Sequence, residues 1–324
     1  MNVRERFSAV LNGRKPDRLP VVEWAAWWDK TVGRWVGEGF PEGLGLEQSL
    51  QYFGLDEMHC IAAAPPLPHG AIRDERDYDK LLKEHSPYSD AHIERFISSA
   101  KNYKARHDSG EIIIRVWLDG FFWYPRRLFG IEPHLYAFYD CPELMARICR
   151  DLADFNMRAL RELFKVMKPE FIGYGEDMSY NHGPMLSRGM FEQFIAPHYK
   201  LLTAFARENA VKTLVDTDGD VTEMIPWLLA CGVDGLYPLE RMAGVDAAKI
   251  RAEYPELIML GAYDKTVMHK GEGAVRAEFE RLLPVMRSGR YILSVDHQTP
   301  PEVSFEDYKI YVKALREYCG KAVE

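Results

Sequence analysis

The sequence predicts an α/β fold, a single (β/α)8 TIM barrel over residues 1–324 with an N-terminal helical extension. Eight short apolar segments, each followed by a helical pattern, recur near residues 20, 58, 115, 172, 213, 235, 259 and 293. Continuous apolar strands that alternate with helices are typical of a parallel sheet covered on both faces. A doubly wound open sheet is the alternative, but no glycine-rich dinucleotide fingerprint follows the early strands.

Local signals place the individual elements in order along the chain. Residues 3–13 form a helix that ends at a glycine, and residues 19–24 form the first strand. The charged stretch 72–86 is expected to be irregular and exposed, and a proline loop over residues 65–68 ends the second strand. The remaining strands are predicted over 57–62, 112–118, 171–174, 213–215, 233–239, 257–262 and 291–295, and the longer helices over 44–53, 89–107, 134–167, 187–208, 272–286 and 305–319.

Three helix starts carry specific capping or turn signals. Ser187 is a good N-cap residue, because its hydroxyl can accept a hydrogen bond from a free backbone N–H of the first turn. Ser304 and Asp307 have the spacing of a capping box. Pro226 is expected in the first turn of its helix, since a proline deeper in the helix would break it.

Composition narrows the class of protein. The chain has 324 residues, 47% hydrophobic and 28% charged, with a formal net charge of -8. This negative charge argues against a surface for nucleic acid or for an anionic membrane. We find no apolar leader and no run of 18 apolar residues, and the five scattered cysteines form no CxxC pair. These features predict a cytoplasmic protein with reduced thiols.

Acidic and imidazole side chains follow three predicted strands. The strand over 213–215 runs into an acidic turn containing Asp218, the strand over 233–239 runs into Glu240, and the last strand is followed by His297. Functional groups of a barrel lie at these carboxyl ends, so the three side chains are expected to face one cavity. Carboxylate and imidazole ligands suit a hard Lewis acid, and zinc is the candidate metal.

Each of these residues also has a structural alternative. The acidic turn is equally compatible with Asp220 or Thr222 capping the helix that follows it. Glu240 could pair with Arg241, and His297 beside an aspartate could be a satisfied loop histidine.

Aromatic and polar side chains near other strand ends are candidates for a pocket that binds a substrate ring. These substrate-binding candidates are Trp24, Trp27, Trp28, Trp117, Phe122, Trp123, Tyr180, His182 and Tyr263. Trp27 and Trp28 could instead pack an N-terminal helix over the barrel, and His182 could serve only its loop.

Four segments together resemble the uroporphyrinogen decarboxylase superfamily. They are RERFSAVLNGRKPDRLPV, GEDMSYNHGPMLSRGMFEQFIAPHYK, VDTDGDV and SVDHQTPPEVSFEDY, and the resemblance extends over nearly the whole chain. It implies a (β/α)8 barrel and one of two chemistries, porphyrinogen decarboxylation or corrinoid-linked methyl transfer.

Two departures from the superfamily's motifs favour one of these chemistries. The decarboxylases carry an arginine-rich RQAGR-type motif after the first strand, where this chain has EWAAWW and no arginine before Arg34. A polyanionic tetrapyrrole needs such bidentate donors. The thiol-directed methyltransferases hold zinc with a His-x-Cys pair, where this chain has Asp216-x-Asp218. Thiolate ligands suit a soft site that activates a thiol, so their absence argues against a thiol acceptor.

The resemblance and its departures predict a methyltransferase of the O-demethylase type. The methyl donor would be an O-methyl compound such as an aryl methyl ether, and the acceptor the corrinoid of a partner protein. His297, Glu176 and Asp218 are the catalytic candidates, because the leaving oxygen needs a proton or a positive charge. The alternatives are decarboxylation of uroporphyrinogen or of a smaller acid, with Asp218 and His297 handling the proton, and a catalytically silent barrel that binds a corrinoid or a partner protein.

Overall fold

The computed structural model describes residues 1–66, 70 and 72–324. Within them the chain forms two compact units that alternate along the sequence. Unit 1 comprises Met1–His59, Ser109–Ile113 and Leu236–Glu324, and unit 2 comprises Cys60–Asp108 and Ile114–Gly235. The single domain over 1–324 therefore stays a prediction. Part of the predicted proline loop, residues 67–68, lies outside the described residues.

Short strands alternate with helices throughout the described residues. The strands are β1 Met58–Ala62, β2 Ile113–Asp119, β3 Phe171–Gly175, β4 Ser179–Tyr180, β5 Gly183–Pro184, β6 Lys212–Asp216, β7 Gly235–Tyr237, β8 Ile258–Tyr263 and β9 Tyr291–Val295. The helices are α1 Val3–Leu11, α2 Asp29–Gly37, α3 Leu46–Tyr52, α4 Glu75–His85, α5 Asp90–Asp108, α6 Trp123–Phe129, α7 Ile131–Asp140, α8 Pro142–Val166, α9 Arg188–Met190, α10 Ala196–Glu208, α11 Ile225–Ala230, α12 Ala247–Glu253, α13 Glu272–Arg287 and α14 Phe305–Lys321. A π-helical turn spans Phe191–Ile195, and 3-10 turns span Thr222–Met224, Arg241–Ala243 and Lys265–Lys270.

The sheet of unit 2 is parallel over β2, β3 and β6, which are neighbours in that order. Asp119 is in register with Gly175, and Gly175 with Asp216. Residues in register on neighbouring parallel strands share a face, so these three side-chain positions lie in one row at the carboxyl ends of the strands. The predicted alternation of parallel strand and helix is confirmed here.

Unit 1 repeats the same arrangement. β8 and β9 are parallel, with Ala262 opposite Ser294 and Tyr263 opposite Val295. Leu236 and Tyr237 belong to β7, the neighbour of β8 on its other side. The segments that leave β7, β8 and β9 carry the charged residues of the candidate site.

The predicted first strand is wrong. Residues 19–24 are extended but form no ladder, and they are fixed by separate bonds to different partners. The Leu19 N–H donates to the Cys319 carbonyl at 2.9 Å, and the Trp24 N–H donates to Ser294 Oγ at 3.3 Å. Pro20 supplies no N–H, which interrupts any continuous pairing. The other seven predicted strands are present, so the eight-strand prediction is confirmed in part.

The stretch 72–86 also differs from its prediction, because residues 75–85 form helix α4. Asp74 caps it by accepting from the Asp77 N–H at 3.0 Å. Tyr78 and Leu81, three residues apart, are buried and give the charged segment one apolar face.

The predicted helix starts are confirmed. Ser187 accepts from the Met190 N–H, Ser304 and Asp307 form a capping box, and the proline at position 226 lies in the first turn of α11. Among the described residues, no helix is both long and apolar enough to cross a membrane.

Candidate functional site

Three charged side chains meet in unit 1 after β7, β8 and β9. Lys265 Nζ lies 3.4 Å from Asp296 Oδ1 and 3.9 Å from Glu240 Oε1. The backbone N–H groups of Lys265 and Arg241 donate to opposite oxygens of Asp296, at 3.2 and 3.0 Å. Burial raises the pKa of Asp296 to about 6, and the neighbouring ammonium opposes that rise. An ion pair therefore occupies strand ends where the sequence predicts a metal ion.

His297 lies beside this group and against an aromatic side chain of the N-terminal segment. The ring centroids of Trp24 and His297 are 6.5 Å apart in an edge-to-face arrangement, and those of Trp24 and Tyr237 are 5.3 Å apart. The Trp24 indole N–H donates to the Val295 carbonyl at 2.7 Å, which fixes the ring at the end of β9. Burial lowers the pKa of His297, Lys265 adds to that effect, and Glu240 opposes it. The imidazole is therefore neutral near pH 7.

A buried carboxyl group, Glu23, supports Trp24 from behind. Ser294 Oγ donates to Glu23 Oε1 at 2.7 Å, and the Tyr308 hydroxyl donates to Oε2 at 3.2 Å. Burial raises the pKa of Glu23 to about 8, against the effect of these hydrogen bonds. Ser294 Oγ also accepts from the Trp24 backbone N–H, so Glu23 orients the hydroxyl that holds the backbone of Trp24.

Unit 2 contributes an aromatic and acidic group at the ends of its own strands. The Trp117 indole N–H donates to Asp119 Oδ1 at 3.3 Å, and Arg127 Nη1 lies 2.6 Å from Asp119 Oδ2. The Trp117 ring lies over Gly175, where an added Cβ would come within 1.9 Å of Cζ2. Only glycine therefore fits at position 175, and the ring lies on the face of the sheet that carries Asp216.

Asp216 ends β6 on that face and is 7% exposed. Burial raises its pKa well above the usual range, Arg115 opposes the rise, and Asp218 and Asp177 add to it. A protonated carboxyl group at a strand end can donate a hydrogen bond, which an ionised carboxylate cannot.

The turn that follows β6 is shaped by close backbone packing. Gly219 has φ +83°, and an added Cβ would come within 2.6 Å of the Tyr180 backbone. The Ser179 hydroxyl donates to the Asp218 carbonyl at 2.6 Å. Asp220 accepts from the Thr222 N–H at 3.0 Å, which stabilises the turn, but the N-cap of the following 3-10 turn is Val221 and has no side-chain cap bond.

Glu176 is a buried acceptor for a turn of backbone. Its two carboxylate oxygens accept from the N–H groups of Phe121, Phe122 and Trp123 at 2.9, 2.7 and 3.2 Å, and from the Tyr199 hydroxyl at 2.6 Å. Burial raises its pKa to about 7 despite these four donors. These bonds position the 121–123 turn on Glu176, and its catalytic role stays a prediction.

Three predicted pocket residues pack in the core. Tyr263 lies between Phe279 and Tyr311 at centroid distances of 4.8 and 4.9 Å, and its hydroxyl donates to a backbone carbonyl. Phe122 packs edge-on against His134 at 4.5 Å. Both side chains are fully buried, and their role in substrate binding stays a prediction.

Trp27 is the third core residue, and Trp28 beside it is exposed. The Trp27 ring packs against Trp35, Phe53 and Tyr308 at 5.8, 5.4 and 5.6 Å, which is the packing alternative for this residue. Trp28 precedes α2 and is 43% exposed.

The remaining candidates in unit 2 stay accessible. Tyr180 is 50% exposed and meets His182 edge-on with ring centroids 5.6 Å apart. Trp123 lies under the Arg126 guanidinium at 5.2 Å. Their role in substrate binding stays a prediction.

The residues fit the predicted zinc site poorly. Within the described residues, no group of three or more His, Cys, Asp or Glu side chains could hold one metal ion. Glu240 faces the Lys265 ammonium, and a cation at that position opposes a second cation on the same carboxylate. We therefore derive no step through a metal.

Sequence reasoning missed Lys265, Asp296 and Glu23. The signals were present, since Lys265 follows a predicted strand, Asp296 stands beside His297, and Glu23 is the one charged residue within 19–28. None of the three signals singles out a functional residue, because a single charged side chain after a strand is typical of a solvated loop.

The sequence matches a known protein family over most of its length. A model of the uroporphyrinogen decarboxylase (URO-D) family matches residues 59–318. The chain belongs to this family. A comparison with curated protein sequences found no match.

Solved structures show the same fold. A methyltransferase from Methanosarcina mazei is 15% identical, with a TM-score of 0.70, and the alignment covers 98% of this chain and 99% of that one. A structure described as a vitamin-B12 independent methionine synthase from Listeria monocytogenes is 12% identical, with a TM-score of 0.49 and coverage of 92% and 95%. The first likeness establishes a shared fold for this member of the family.

Proposed function

We propose that this chain transfers a methyl group from an O-methyl compound, with aryl methyl ethers as the favoured class, to the Co(I) corrinoid of a partner protein. The observation that carries the proposal is the strand-end group of unit 1. There the Trp24 indole packs edge-to-face with the His297 imidazole, and the Lys265 ammonium helps to lower the pKa of that imidazole. Such a group can receive an aromatic ring and stabilise an oxygen that becomes negative.

The side chains that stand in place of thiolate ligands indicate which methyl acceptor the site suits. Asp216 and Asp218 stand in the His-x-Cys positions after β6, and Asp296-His297 follows β9. The five free cysteines lie at 60, 141, 149, 231 and 319, away from these positions. A site without thiolate ligands is poorly suited to activate a thiol. The corrinoid of a partner, whose Co(I) is the nucleophile, requires no nucleophile from this chain.

The chain's own residues must stabilise the negative charge that develops on the leaving oxygen. An alkoxide or phenolate leaves slowly unless a proton or a positive charge reaches it as the C–O bond breaks. His297 is the candidate that would orient the oxygen, because its ring packs against Trp24, which is itself bonded to the Val295 carbonyl. Glu176 contributes by holding the 121–123 turn, and Asp218 stays a candidate in unit 2.

The fold comparison supports methyl transfer as a class, since the Methanosarcina mazei protein that shares the fold is a methyltransferase. The segment 23–28 contains no arginine that could receive the carboxylates of a polyanionic tetrapyrrole, which supports a neutral substrate.

The test is a spectral assay of corrinoid methylation. Purified protein is mixed with Co(I) corrinoid and a panel of aryl and alkyl methyl ethers, with and without a chelator, and the methyl-cobalt absorbance is followed. We expect turnover with an aryl ether, a loss of about 100-fold or more in H297A, and wild-type rates in the exposed control Y139F. Absence of methyl-cobalt with every ether would overturn the proposal.

Decarboxylation of a smaller carboxylic acid is the second candidate, because the matched family model is named for a decarboxylase. Release of carbon dioxide in the absence of any corrinoid, from a panel of aromatic and aliphatic acids, would support it. A protein that binds corrinoid but catalyses neither reaction would support the silent-barrel alternative.

A further inference from the structure

Lys265 is an unusual lysine for its position. It follows β8, and its side chain is only 12% exposed although lysine normally extends its ammonium into water. Nζ lies 3.4 Å from Asp296 Oδ1 and 3.9 Å from Glu240 Oε1. A partly buried cation is retained when carboxylates compensate for its lost hydration.

The partners of Lys265 leave it able to bind one more group. An ammonium has three N–H donors, and its two carboxylate partners account for two at most. Asp296 is fully buried, and it also accepts the Lys265 and Arg241 backbone N–H groups. The carboxylate thus fixes both the backbone and the ammonium of Lys265 at the strand end.

We propose that Lys265 is a catalytic residue that donates a hydrogen bond from Nζ to the leaving oxygen of the substrate and supplies the positive charge for which the sequence predicts a metal ion. This inference rests on the proposed function and adds to it the group that neutralises the oxyanion. It also names the substrate class, a neutral aryl methyl ether.

The step balances without a metal in this chain. The O–CH3 bond breaks with its electron pair left on oxygen, and Co(I) of the partner's corrinoid provides the two electrons of the new Co–C bond. The oxyanion is held by the Lys265 ammonium and takes its proton from water on release. Because the ammonium gains a partner only as charge develops on oxygen, the interaction is stronger in the transition state than with the neutral ether.

The neighbours of Lys265 match this substrate class. Trp24 packs edge-to-face with His297 and with Tyr237, so the surroundings of the ammonium are aromatic as well as polar. Glu240 and Asp296 make the group acidic overall, which disfavours a substrate with several carboxylates.

The deciding experiment separates binding of the leaving group from methyl transfer. Equilibrium binding of 4-nitrophenolate and of neutral 4-nitroanisole is measured through tryptophan fluorescence for the wild type, K265Q, K265R and K212Q. Lys212 is the matched control. It also pairs with a carboxylate, Asp234, at 3.3 Å, but it lies at the amino end of β6, whereas Lys265 follows the carboxyl end of β8.

We expect K265Q to bind 4-nitrophenolate about 10-fold or more weakly than the wild type and to bind 4-nitroanisole unchanged. K265R and K212Q should stay close to the wild type for both probes. Equal loss of both probes in K265Q, unchanged phenolate binding, or no phenolate binding by the wild type would each overturn the inference. So would a stoichiometric metal that the purified wild type requires for phenolate binding.

The two proposals fail separately in this design. If phenolate binding depends on Lys265 but no corrinoid is methylated, the oxyanion-binding role of Lys265 is retained and the proposed methyl transfer is refuted. Methylation that persists in K265Q would retain the proposed function and remove Lys265 from it.

Discussion

The buried Glu23 carboxyl group should make the stability of this protein fall as pH rises. Burial raises its pKa from 4.5 to about 8 in the folded chain. The group therefore stays protonated in the folded state over a range in which it ionises in the unfolded state. Its contribution is fully present below about pH 4.5 and is lost as pH rises through about 8. The perturbation that isolates it is Glu23→Gln, which keeps the shape and cannot ionise.

The size of the effect follows from the two pKa values. At about 1.4 kcal/mol per pH unit, a rise from 4.5 to about 8 corresponds to on the order of 5 kcal/mol. Between about pH 5.5 and about pH 8, the free energy of unfolding should fall by roughly 3 kcal/mol through this group alone. Glutamine can still accept from Ser294 and can donate to the Tyr308 oxygen, so the fold should tolerate it.

The assay is urea unfolding of the wild type and E23Q at several pH values, followed by circular dichroism. We expect E23Q to have a flatter pH dependence and to equal or exceed the wild type at about pH 8. Glu176 and Asp296 titrate in both proteins, so the difference between the two curves reports Glu23. Parallel curves, with E23Q displaced by a constant amount, would refute the reasoning.

Three further predictions follow from close contacts. Gly175→Ala should destabilise the fold by about 3 kcal/mol or displace the Trp117 ring, because the new Cβ would overlap it; a wild-type unfolding midpoint with unchanged near-ultraviolet dichroism would contradict this. Glu176→Ala should cost about 3 kcal/mol or more, because three backbone N–H groups lose their acceptor in a buried site; denaturant unfolding measures it, and a cost below about 1 kcal/mol would count against the positioning role. Trp24→Phe removes the 2.7 Å indole bond and should cost about 1 kcal/mol, while Trp28→Phe at an exposed position should change stability by less than about 0.5 kcal/mol; equal effects in both variants would argue against the indole bond.

The strand and helix pattern was predictable because each buried strand is apolar and each helix start has its own cap. Ser187 and Ser304 show this, since a hydroxyl that satisfies a free N–H acts within one turn. Residues 19–24 were not predictable as a non-strand. Their apolar run has the pattern of a strand. The effect of Pro20 becomes clear only from the structure, in which Leu19 and Trp24 bond to separate partners, Cys319 and Ser294.

The candidate site was predictable by location and less so by role. Glu240 and His297 do lie at strand ends. The side chain that pairs with both Glu240 and Asp296 is Lys265, which follows β8, and spacing along the chain does not reveal such a pairing. Glu176 follows a strand as a catalytic acid would, yet the 121–123 turn takes up its oxygens. Tyr263 alternates into the helix-facing side of β8, which a strand-end argument alone does not resolve.

The hydrogen-bond partners of residues 19–24 determine when this segment can fold during synthesis. The indole of Trp24 bonds to a carbonyl 271 residues further along, and the Leu19 N–H bonds to a residue later still. During synthesis this segment emerges long before its partners exist, so its apolar side chains wait without their final packing. Ribosome-bound chains that stop before β9 should therefore expose this segment to proteases and chaperones, and its protection should appear only after α14 has been released.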